Sequence, residues 1–289
     1  MSGAKHPLIL SWAGYTLNLA QRTHIMGVLN VTPDSFSDGG LFFERNRAVE
    51  QGLSMAREGA DVIDVGGEST RPFSTKISEQ EEMDRVIPVI EGLRRELDIP
   101  ISIDTMKAVV AKEALRAGAS MINDVSALRH DPEMASVAAQ ADVPIILMHM
   151  KGTPADMQKE PSYAHLIEEI TEFLREARDR AVAAGIGEHR IVLDPGIGFG
   201  KTFDHNLEII RELHRFRVLG RPILLGSSRK AFIGHILNRE AHERDTGTMA
   251  SVAIGVINGA HIVRVHNVRM ALDTVRMADA ITRGRVSAT

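Results

Sequence analysis

Polar and ionisable side chains follow each of eight short apolar runs in this sequence, and their types and spacing could support chemistry. Run by run, they are Asn30; Glu68, Ser69, Thr70 and Arg71; Asp104; Asn123 and Asp124; His149; Asp194; Ser227, Ser228, Arg229 and Lys230; and Arg264 and His266. One polar residue after a strand usually caps a loop, whereas eight sets in the same position predict a shared rim.

Three of these side chains predict how a ligand would be held at that rim. Asp104, Asn123 and Asp194 each stand at or near the end of an apolar run. Carboxylates accept hydrogen bonds from N–H groups, and an amide both donates and accepts them. Such a floor suits a flat heterocycle with several donors and acceptors.

Cationic side chains at the same rim predict an anion-binding end. They are Arg71, Lys230, Arg264 and His266. Phosphate or diphosphate is the common ligand of such groups. The sparse carboxylates nearby could share Mg²⁺ with that anion, because Mg²⁺ usually takes one or two protein ligands plus phosphate oxygens.

Some of these side chains have an equally good structural interpretation. Asp104 precedes Thr105 and could simply cap the next helix. Asp124 and Glu68 could also be capping or supporting groups. Arg71 and Arg264, each taken alone, could equally be surface salt-bridge residues.

The apolar runs themselves have the composition of parallel strands buried on both faces. They cover residues 25–31, 62–66, 101–104, 121–125, 144–149, 191–194, 222–226 and 261–266. Their starts are about 34 residues apart, the size of a βα unit. The segments between them carry apolar residues at helical spacing, as at Met83, Val86 and Ile90.

Eight such units predict an α/β fold, a (β/α)₈ TIM barrel, as one domain over residues 1–289. A doubly wound open sheet is the alternative, but Gly66-Gly67 does not supply the G-x-G-x-x-G turn that it would need. Before the first unit, residues 8–21 alternate around Ala13-Gly14, which predicts a β-hairpin. We expect this hairpin to close the amino-terminal end of the barrel.

Two loops at the predicted rim are long and rich in turn-forming residues. They cover residues 30–40 and 66–79. Phe36 is the apolar residue at the tip of the first loop, and this favours lids that close over a substrate rather than plain connections.

A glycine-rich turn at 194–201 ends in Gly200-Lys201-Thr202, which resembles the end of a phosphate-binding loop. Pro195 stands where that pattern needs its first glycine, so the match fails. The glycines are better explained by a tight backbone turn beside the ligand.

Composition excludes several classes of protein. The chain has 289 residues, a formal net charge of −4, no Cys and 4% aromatic residues. Disulfides, thiolate metal sites and a Cys nucleophile are therefore impossible, and nucleic acid or an anionic membrane is not expected as a partner. Neither a signal peptide nor an apolar stretch long enough to span a bilayer is recognisable, so a cytoplasmic location is expected.

Eight motifs together resemble the dihydropteroate synthase family. They are 26–40 (MGVLNVTPDSFSDGG), 66–72 (GGESTRP), 102–107 (SIDTMK), 122–125 (INDV), 148–150 (MHM), 194–201 (DPGIGFGK), 226–230 (GSSRK) and 264–268 (RVHNV). The resemblance extends from about residue 25 to the end of the chain. The first two motifs are the longest and most specific.

The resemblance implies a (β/α)₈ fold that condenses 6-hydroxymethyl-7,8-dihydropterin diphosphate with 4-aminobenzoate in folate synthesis. The implied pterin-binding residues are Asp104, Asn123, Met148, Asp194 and Lys230. For the diphosphate they are Asn30, Thr70, Arg264 and His266, with Asn30 also a Mg²⁺ ligand. For 4-aminobenzoate, in what is also the sulfonamide pocket of the family, they are Phe36, Thr70, Arg71, Pro72, Phe199, Ser228 and Lys230.

The implied catalytic residues are Asp38, Asp104, Asp194 and Lys230. An S_N1-like route is expected: the C–O bond to diphosphate breaks first, and a pterin cation is held while the aniline nitrogen attacks. Asp104 and Asp194 would stabilise that cation, and the lids, including Asp38, would exclude water. The family also implies a homodimer built from late helices such as residues 246–259, whose small apolar face could instead pack on its own barrel.

Three other functions are compatible with parts of the pattern. A methyltetrahydrofolate-dependent corrinoid methyltransferase would have a similar pterin floor but no diphosphate to expel. A non-catalytic pterin-binding protein would have lost residues at the reacting end, which this chain retains. A phosphate-binding isomerase would need a base beside a neutral electrophile, for which His149 and Glu68 are the best candidates.

Overall fold

Eight parallel strands alternate with helices along the chain in a computed structural model that describes residues 8–32, 40–69, 76–152, 157 and 161–284. For residues 40–44 only the backbone is described. The eight strands are β3 (His24–Asn30), β4 (Val62–Gly66), β5 (Ile101–Asp104), β6 (Met121–Asp124), β7 (Ile145–Met148), β8 (Ile191–Asp194), β9 (Leu224–Leu225) and β10 (Ile262–Val265).

The α-helices lie between and after these strands. They are α1 (Gly40–Arg57), α2 (Glu79–Glu96), α3 (Ala108–Ala117), α4 (Met134–Ala141), α5 (Leu166–Ala183), α6 (Phe203–Arg211), α7 (Ala231–Leu237), α8 (Asp245–Ile257) and α9 (Val268–Arg283). Short 3-10 helices cover Glu188–Arg190, Leu213–Leu219 and Ala241–Glu243.

The strands close into a barrel, as the sequence predicts. Their order is β8-β7-β6-β5-β4-β3-β10-β9, every neighbouring pair is parallel, and a further parallel bridge joins Leu193 to Ile223. Strand bounds agree with the predicted runs within two residues. The largest difference is at β9, predicted over 222–226: Pro222 has no N–H to donate, so regular pairing starts only after it.

The strand register sets the polar strand ends at one level. Asn30 is paired with Gly66, Gly66 with Asp104, and Asp104 with Asn123. On the next part of the barrel, Met148 is paired with Asp194. The carboxyl ends of the strands therefore form the common rim that the sequence predicts.

The predicted hairpin consists of β1 (Ile9–Trp12) and β2 (Tyr15–Asn18), which pair antiparallel. The alternating residues of the hairpin, Leu10, Trp12 and Leu17, are buried in the same core as the barrel strands. The Arg190 guanidinium, directly before β8, donates to the Ser11 carbonyl. The hairpin therefore covers the amino-terminal end of the barrel, opposite the polar rim.

Two other expectations meet the structure only in part. Residues 33–39 and 70–75 of the predicted lids over 30–40 and 66–79 lie outside the described residues, and the single domain over 1–289 stays a prediction. Among the helices of the described residues, none combines the length and apolar character needed to cross a bilayer.

Candidate active site

A buried ionic network forms the floor of the barrel at its carboxyl end. Arg264 on β10 donates from Nε to Asp64 Oδ2 at 2.6 Å and from Nη2 to Asp104 Oδ2 at 2.6 Å. Asn123 Nδ2 donates to the same Asp64 oxygen at 3.0 Å. Strands β4, β5, β6 and β10 thus contribute one side chain each to a connected polar surface.

This network decides between the alternatives left open for Asp104 and Arg264. Asp104 does not cap α3, because the first helical N–H, that of Ala108, bonds to Asp131 Oδ2 at 2.8 Å. Arg264 is not a surface salt-bridge residue, because its partner Asp64 is fully buried. Both side chains therefore belong to the barrel floor.

Burial and neighbouring charges change the pKa values of the side chains on this floor. Burial raises the pKa of Asp104 to about 7, an effect that Arg264 opposes and the neighbouring Asp64 reinforces. The two carboxylates raise the pKa of Arg264, which stays cationic. The floor therefore combines a permanent cation with a carboxyl group that can change its protonation near neutral pH.

Asp194 ends β8 on the other side of the barrel mouth. Its Oδ1 accepts the Gly196 N–H at 2.7 Å, and burial raises its pKa to about 6. Its Oδ2 lies 3.8 Å from where a Cβ would stand on Gly226, so a glycine there leaves open space beside the carboxylate. One oxygen of Asp194 is thus fixed by the backbone and the other faces that space.

The glycine-rich turn after Asp194 has the tight backbone that the sequence predicts. Gly196 has φ +72°, and a Cβ there would lie 1.9 Å from the His149 carbonyl oxygen. Lys201 is 2% exposed and bonds to His149 and to the Phe199 carbonyl. A lysine held in this way is not a phosphate-loop lysine, which agrees with the failed sequence match.

Lys230 and Phe199 meet above a small apolar cluster that is separate from the barrel core. Lys230 Nζ lies 4.1 Å from the centre of the Phe199 ring. The buried members of this methionine cluster are Val125, Met148, Met150, Met157 and Phe199, with Met106 packed against them. An apolar wall of adaptable thioethers therefore borders the polar floor.

Ser228 and His266 are joined at the end of β10. Ser228 Oγ and His266 Nδ1 are 2.8 Å apart, and the His266 backbone N–H donates to the same hydroxyl at 3.2 Å. Burial, reinforced by Arg264, lowers the pKa of His266 to about 3. The expectation that His266 acts as a cation is therefore wrong: its ring is neutral and offers only hydrogen bonds.

Two of the carboxylates have the structural role that the sequence left open. Asp124 accepts the N–H groups of Ser126 and Leu128 at 2.8 and 2.7 Å and is fully buried in its own loop. Glu68 pairs with Lys107 Nζ at 2.7 Å. Both carboxylates are therefore held by protein partners, as supporting groups.

Sequence reasoning did not single out Asp64, which the structure places at the centre of the floor. Its Oδ1 is buried without a hydrogen-bond partner among the described residues. A usable signal was present, since Asp64 is the charged residue inside an otherwise apolar five-residue strand. A fully buried charge needs a partner, and Arg264 supplies it.

The remaining predicted site residues divide into two groups. Asn30 ends β3 at the rim, and no described residue hydrogen-bonds to its side-chain amide. The predicted residues Phe36, Asp38, Thr70, Arg71 and Pro72 lie outside the described residues. Within the described ranges, no three acidic or histidine side chains gather as metal ligands would.

Comparison with known proteins identifies relatives of this arrangement. A family model described as "pterin binding enzyme" matches residues 26–266. The dihydropteroate synthase of Synechocystis sp. is 48% identical over 272 residues, which span 93% of this chain and 94% of that protein.

Two solved structures give the same result for the fold. The Yersinia pestis dihydropteroate synthase in a sulfonamide drug complex has a TM-score of 0.90 and 42% identity, covering 94% of this chain and 98% of that chain. The Xanthomonas albilineans dihydropteroate synthase in complex with 7,8-dihydropteroate has a TM-score of 0.86 and 41% identity, with coverage of 94% and 98%.

Proposed function

Because this chain belongs to the dihydropteroate synthase family, we infer that it condenses 6-hydroxymethyl-7,8-dihydropterin diphosphate with 4-aminobenzoate. The products are 7,8-dihydropteroate and diphosphate, so the chain is a transferase of folate synthesis. The observation that carries this function is the polar floor of Asp104, Asn123 and Asp194 at or next to the ends of three barrel strands, with Asn123 and Asp194 buried.

We assign the pterin ring to this floor. Asp104 and Asp194 would accept ring N–H groups, and Asn123 would exchange hydrogen bonds with the ring edge. Met148 lies in the methionine cluster beside the floor and would pack on the flat pterin ring. Lys230 lies over the ring of Phe199, another member of this cluster. The physical support is that donors, acceptors and an apolar wall are all within one barrel mouth.

The diphosphate would lie toward Asn30, Thr70, Arg264 and His266. Arg264 supplies positive charge and the neutral His266 supplies a hydrogen bond. Because Arg264 is held by two carboxylates, we propose that it orients the pterin floor as well as attracting the leaving group.

Asn30 fits a Mg²⁺ ion that takes most of its ligands from the substrate. Its amide accepts no bond from described residues, and the absence of a carboxylate cluster among those residues suits a cation bound largely by phosphate oxygens and water. When bound, Mg²⁺ would neutralise charge on the diphosphate and make it a better leaving group.

We propose that 4-aminobenzoate binds beside Phe199, Ser228 and Lys230. Lys230 would attract the benzoate carboxylate, and the Phe199 ring would pack against the aromatic ring. The family also implies Phe36, Thr70, Arg71 and Pro72 for this pocket. We expect the same pocket to accept a sulfonamide; the Yersinia pestis relative forms a complex with a sulfonamide drug.

The reaction would proceed by an S_N1-like route. The C–O bond breaks, its electrons leave with the diphosphate, and the dihydropterin shares the positive charge that remains. Ionised Asp104 and Asp194 would stabilise this cation from the ring nitrogens. The aniline nitrogen then attacks the carbon and loses a proton, while the lid carrying Asp38 would exclude competing water.

Diphosphate release in the presence of each substrate alone and of both together tests the function. We expect release to require both the pterin diphosphate and 4-aminobenzoate, and Asp194→Asn to reduce it by at least about 100-fold. Asp142→Asn, in an exposed carboxylate before β7, is the matched control and should retain activity. Release that ignores 4-aminobenzoate would make the chain a hydrolase of the pterin diphosphate, and no release at all would leave a pterin-binding protein; either result would exclude the synthase.

Positional isotope exchange in the substrate diphosphate tests the order of bond breaking. Without 4-aminobenzoate, a dissociative route predicts scrambling of the bridging oxygen when the diphosphate stays bound long enough to return. An active enzyme with slow release and no scrambling would exclude the cation.

We also propose a homodimer built on the outward face of α8. Ile254 and Ile257 are 47% and 46% exposed, so this face does not pack against its own barrel. Exposed Ile236 on α7 and Met277 on α9 lie on helices next to α8 and extend the apolar surface. Association would bury such a patch.

Sedimentation analysis tests this dimer. Ile254→Asp should dissociate it, whereas Val182→Asp, which alters another exposed apolar residue on α5, should leave the mass unchanged. A monomeric wild-type chain would refute the proposal.

A further inference from the structure

A buried amine lies directly behind the glycine-rich turn. Lys201 is 2% exposed, and its Nζ contacts His149 Nδ1 at 2.9 Å and the Phe199 carbonyl oxygen at 2.9 Å. A lysine is rarely buried to this extent unless its charge is paired or used. The reaction proposed above gives this amine no chemical step.

The turn that Lys201 contacts is held by side chains rather than by regular backbone pairing. The Gly198 N–H donates to Asn206 Oδ1 at 2.6 Å, and Tyr163 donates from its hydroxyl to the Gly200 carbonyl at 2.8 Å. Lys201 holds the peptide between these two points. Gly198 and Gly200 have φ of +84° and +64°, so the chain there has the conformational freedom that side-chain bonds must restrict.

Burial lowers the pKa of Lys201 to about 7, and its amine can donate a hydrogen bond in either protonation state. His149 is suited to be the acceptor for that amine. Burial and the nearby Lys201 cation lower its pKa well below the ordinary value, so the ring is neutral. The edge-on contact with Phe173, at 4.7 Å between ring centres, and the backbone bond from His149 N to Asp194 O at 2.8 Å fix its position. Nδ1 is then the unprotonated nitrogen, because it faces a donor.

The Phe199 side chain depends on this arrangement, because its carbonyl is the one that Lys201 fixes. The ring is 8% exposed, lies in the methionine cluster and has Lys230 Nζ 4.1 Å from its centre. A displacement of the Phe199 Cα, which this hydrogen bond restrains, would carry the ring away from Lys230.

We propose that Lys201, paired with His149, is a positioning residue that fixes the Phe199 ring beneath Lys230 and so sets the shape of the second-substrate pocket. The identity of that substrate, 4-aminobenzoate, rests on the function proposed above. The positioning itself rests on contacts among described residues. An effect on the binding of only one substrate distinguishes this role from filling space, because a space-filling residue would not favour one substrate over the other.

Lys201→Leu tests the proposal, with Lys112→Leu as the control on an exposed lysine of α3, away from the turn. Leu is close to Lys in volume, so the variant leaves little cavity, and its circular dichroism spectrum checks that it folds. We expect the KM for 4-aminobenzoate to rise about tenfold while the Kd for the pterin diphosphate changes by less than about twofold. Lys112→Leu should change neither constant.

The acceptor gives a second, conservative pair of variants. His149→Asn places an amide oxygen close to where Nδ1 stands and should keep the KM for 4-aminobenzoate within about threefold. His149→Leu removes the acceptor and should resemble Lys201→Leu. Equal effects of the two His149 variants would contradict a role for the hydrogen bond.

A readout without turnover separates this proposal from the proposed function. The ¹³C-methyl resonances of Met148 and Met150 report ring currents from Phe199, so they should shift in Lys201→Leu and stay unchanged in Lys112→Leu. Unchanged resonances, or a parallel rise in both substrates' constants, would overturn the positioning role. If the wild-type chain releases no diphosphate, the proposed function fails and the methyl shifts alone decide whether Lys201 positions Phe199.

Discussion

Replacing Asp194 with Asn is expected to stabilise the fold while it removes activity. Asp194 is 6% exposed, and burial raises its pKa from 3.8 to about 6 even though the Gly196 N–H bonds to it. Each tenfold change in the acid dissociation constant corresponds to about 1.4 kcal/mol, so ionised Asp194 destabilises the folded state by about 3 kcal/mol at pH 8. Asn can still accept the Gly196 N–H but carries no charge.

The sign of this effect sets its pH dependence. The folded-state pKa of Asp194 is above its unfolded value, so the folded chain binds the proton more tightly. Below pH 3.8 the carboxyl group is protonated in both states, and Asn has no advantage. The advantage grows as the pH rises from 3.8 to about 6 and is constant above that.

Urea unfolding of the ligand-free chain, followed by circular dichroism, measures the difference. We expect Asp194→Asn to raise the free energy of unfolding by about 1 to 3 kcal/mol at pH 8, and by about half as much at pH 5. Asp142→Asn is the control: the Arg190 hydrogen bond lowers the pKa of Asp142, so neutralising it should give no gain. A variant no more stable than wild type at pH 8, or a gain identical at both pH values, would refute the reasoning.

Three further outcomes follow from the barrel floor and the turn beside it. Asp64→Ala leaves Arg264 with a single counter-ion in a buried site, and we expect a loss of about 3 to 5 kcal/mol in urea unfolding; a loss below 1 kcal/mol would contradict the network. Gly196→Ala forces a Cβ to within 1.9 Å of the His149 carbonyl oxygen at φ +72°, so we expect a loss of more than about 2 kcal/mol, or misfolding visible by circular dichroism. Because the pKa of Asp104 is about 7, protonation should remove a pterin acceptor below that pH. Titration calorimetry should therefore show that the Kd for the pterin diphosphate rises as the pH falls below 7, approaching about tenfold for each pH unit. A Kd that stays constant from pH 8 to 5.5 would exclude Asp104 as that acceptor.

Much of the fold is predictable because burial leaves a local pattern in the sequence. Strands covered on both faces read as continuous apolar runs, and helices on a barrel need an apolar stripe. The run at 191–194 matches β8 residue for residue, and the hairpin follows from simple alternation. Pro222 explains why β9 is shorter than its apolar run.

The rim was also predictable in outline, because every parallel strand ends at the same side of a barrel. Asp104, Asn123 and Asp194 could thus be assigned to one surface from their positions after separate runs. Asp64 could not be assigned in this way, because it stands inside a strand and its role depends on a partner 200 residues away.

The charge states of the site were decided only by the tertiary structure. His266 looks like a cation in the sequence, yet burial beside Arg264 makes it neutral. Pro195 already argues against a phosphate loop in the sequence, but only the structure shows that Lys201 is buried against His149 and the backbone of its own turn. The sequence by itself determined that polar residues following the strands gather at the barrel mouth, since periodicity and strand direction are local properties. Their ionisation and pairing needed the tertiary structure, because these depend on solvent exclusion and on partners that only the closed barrel brings together.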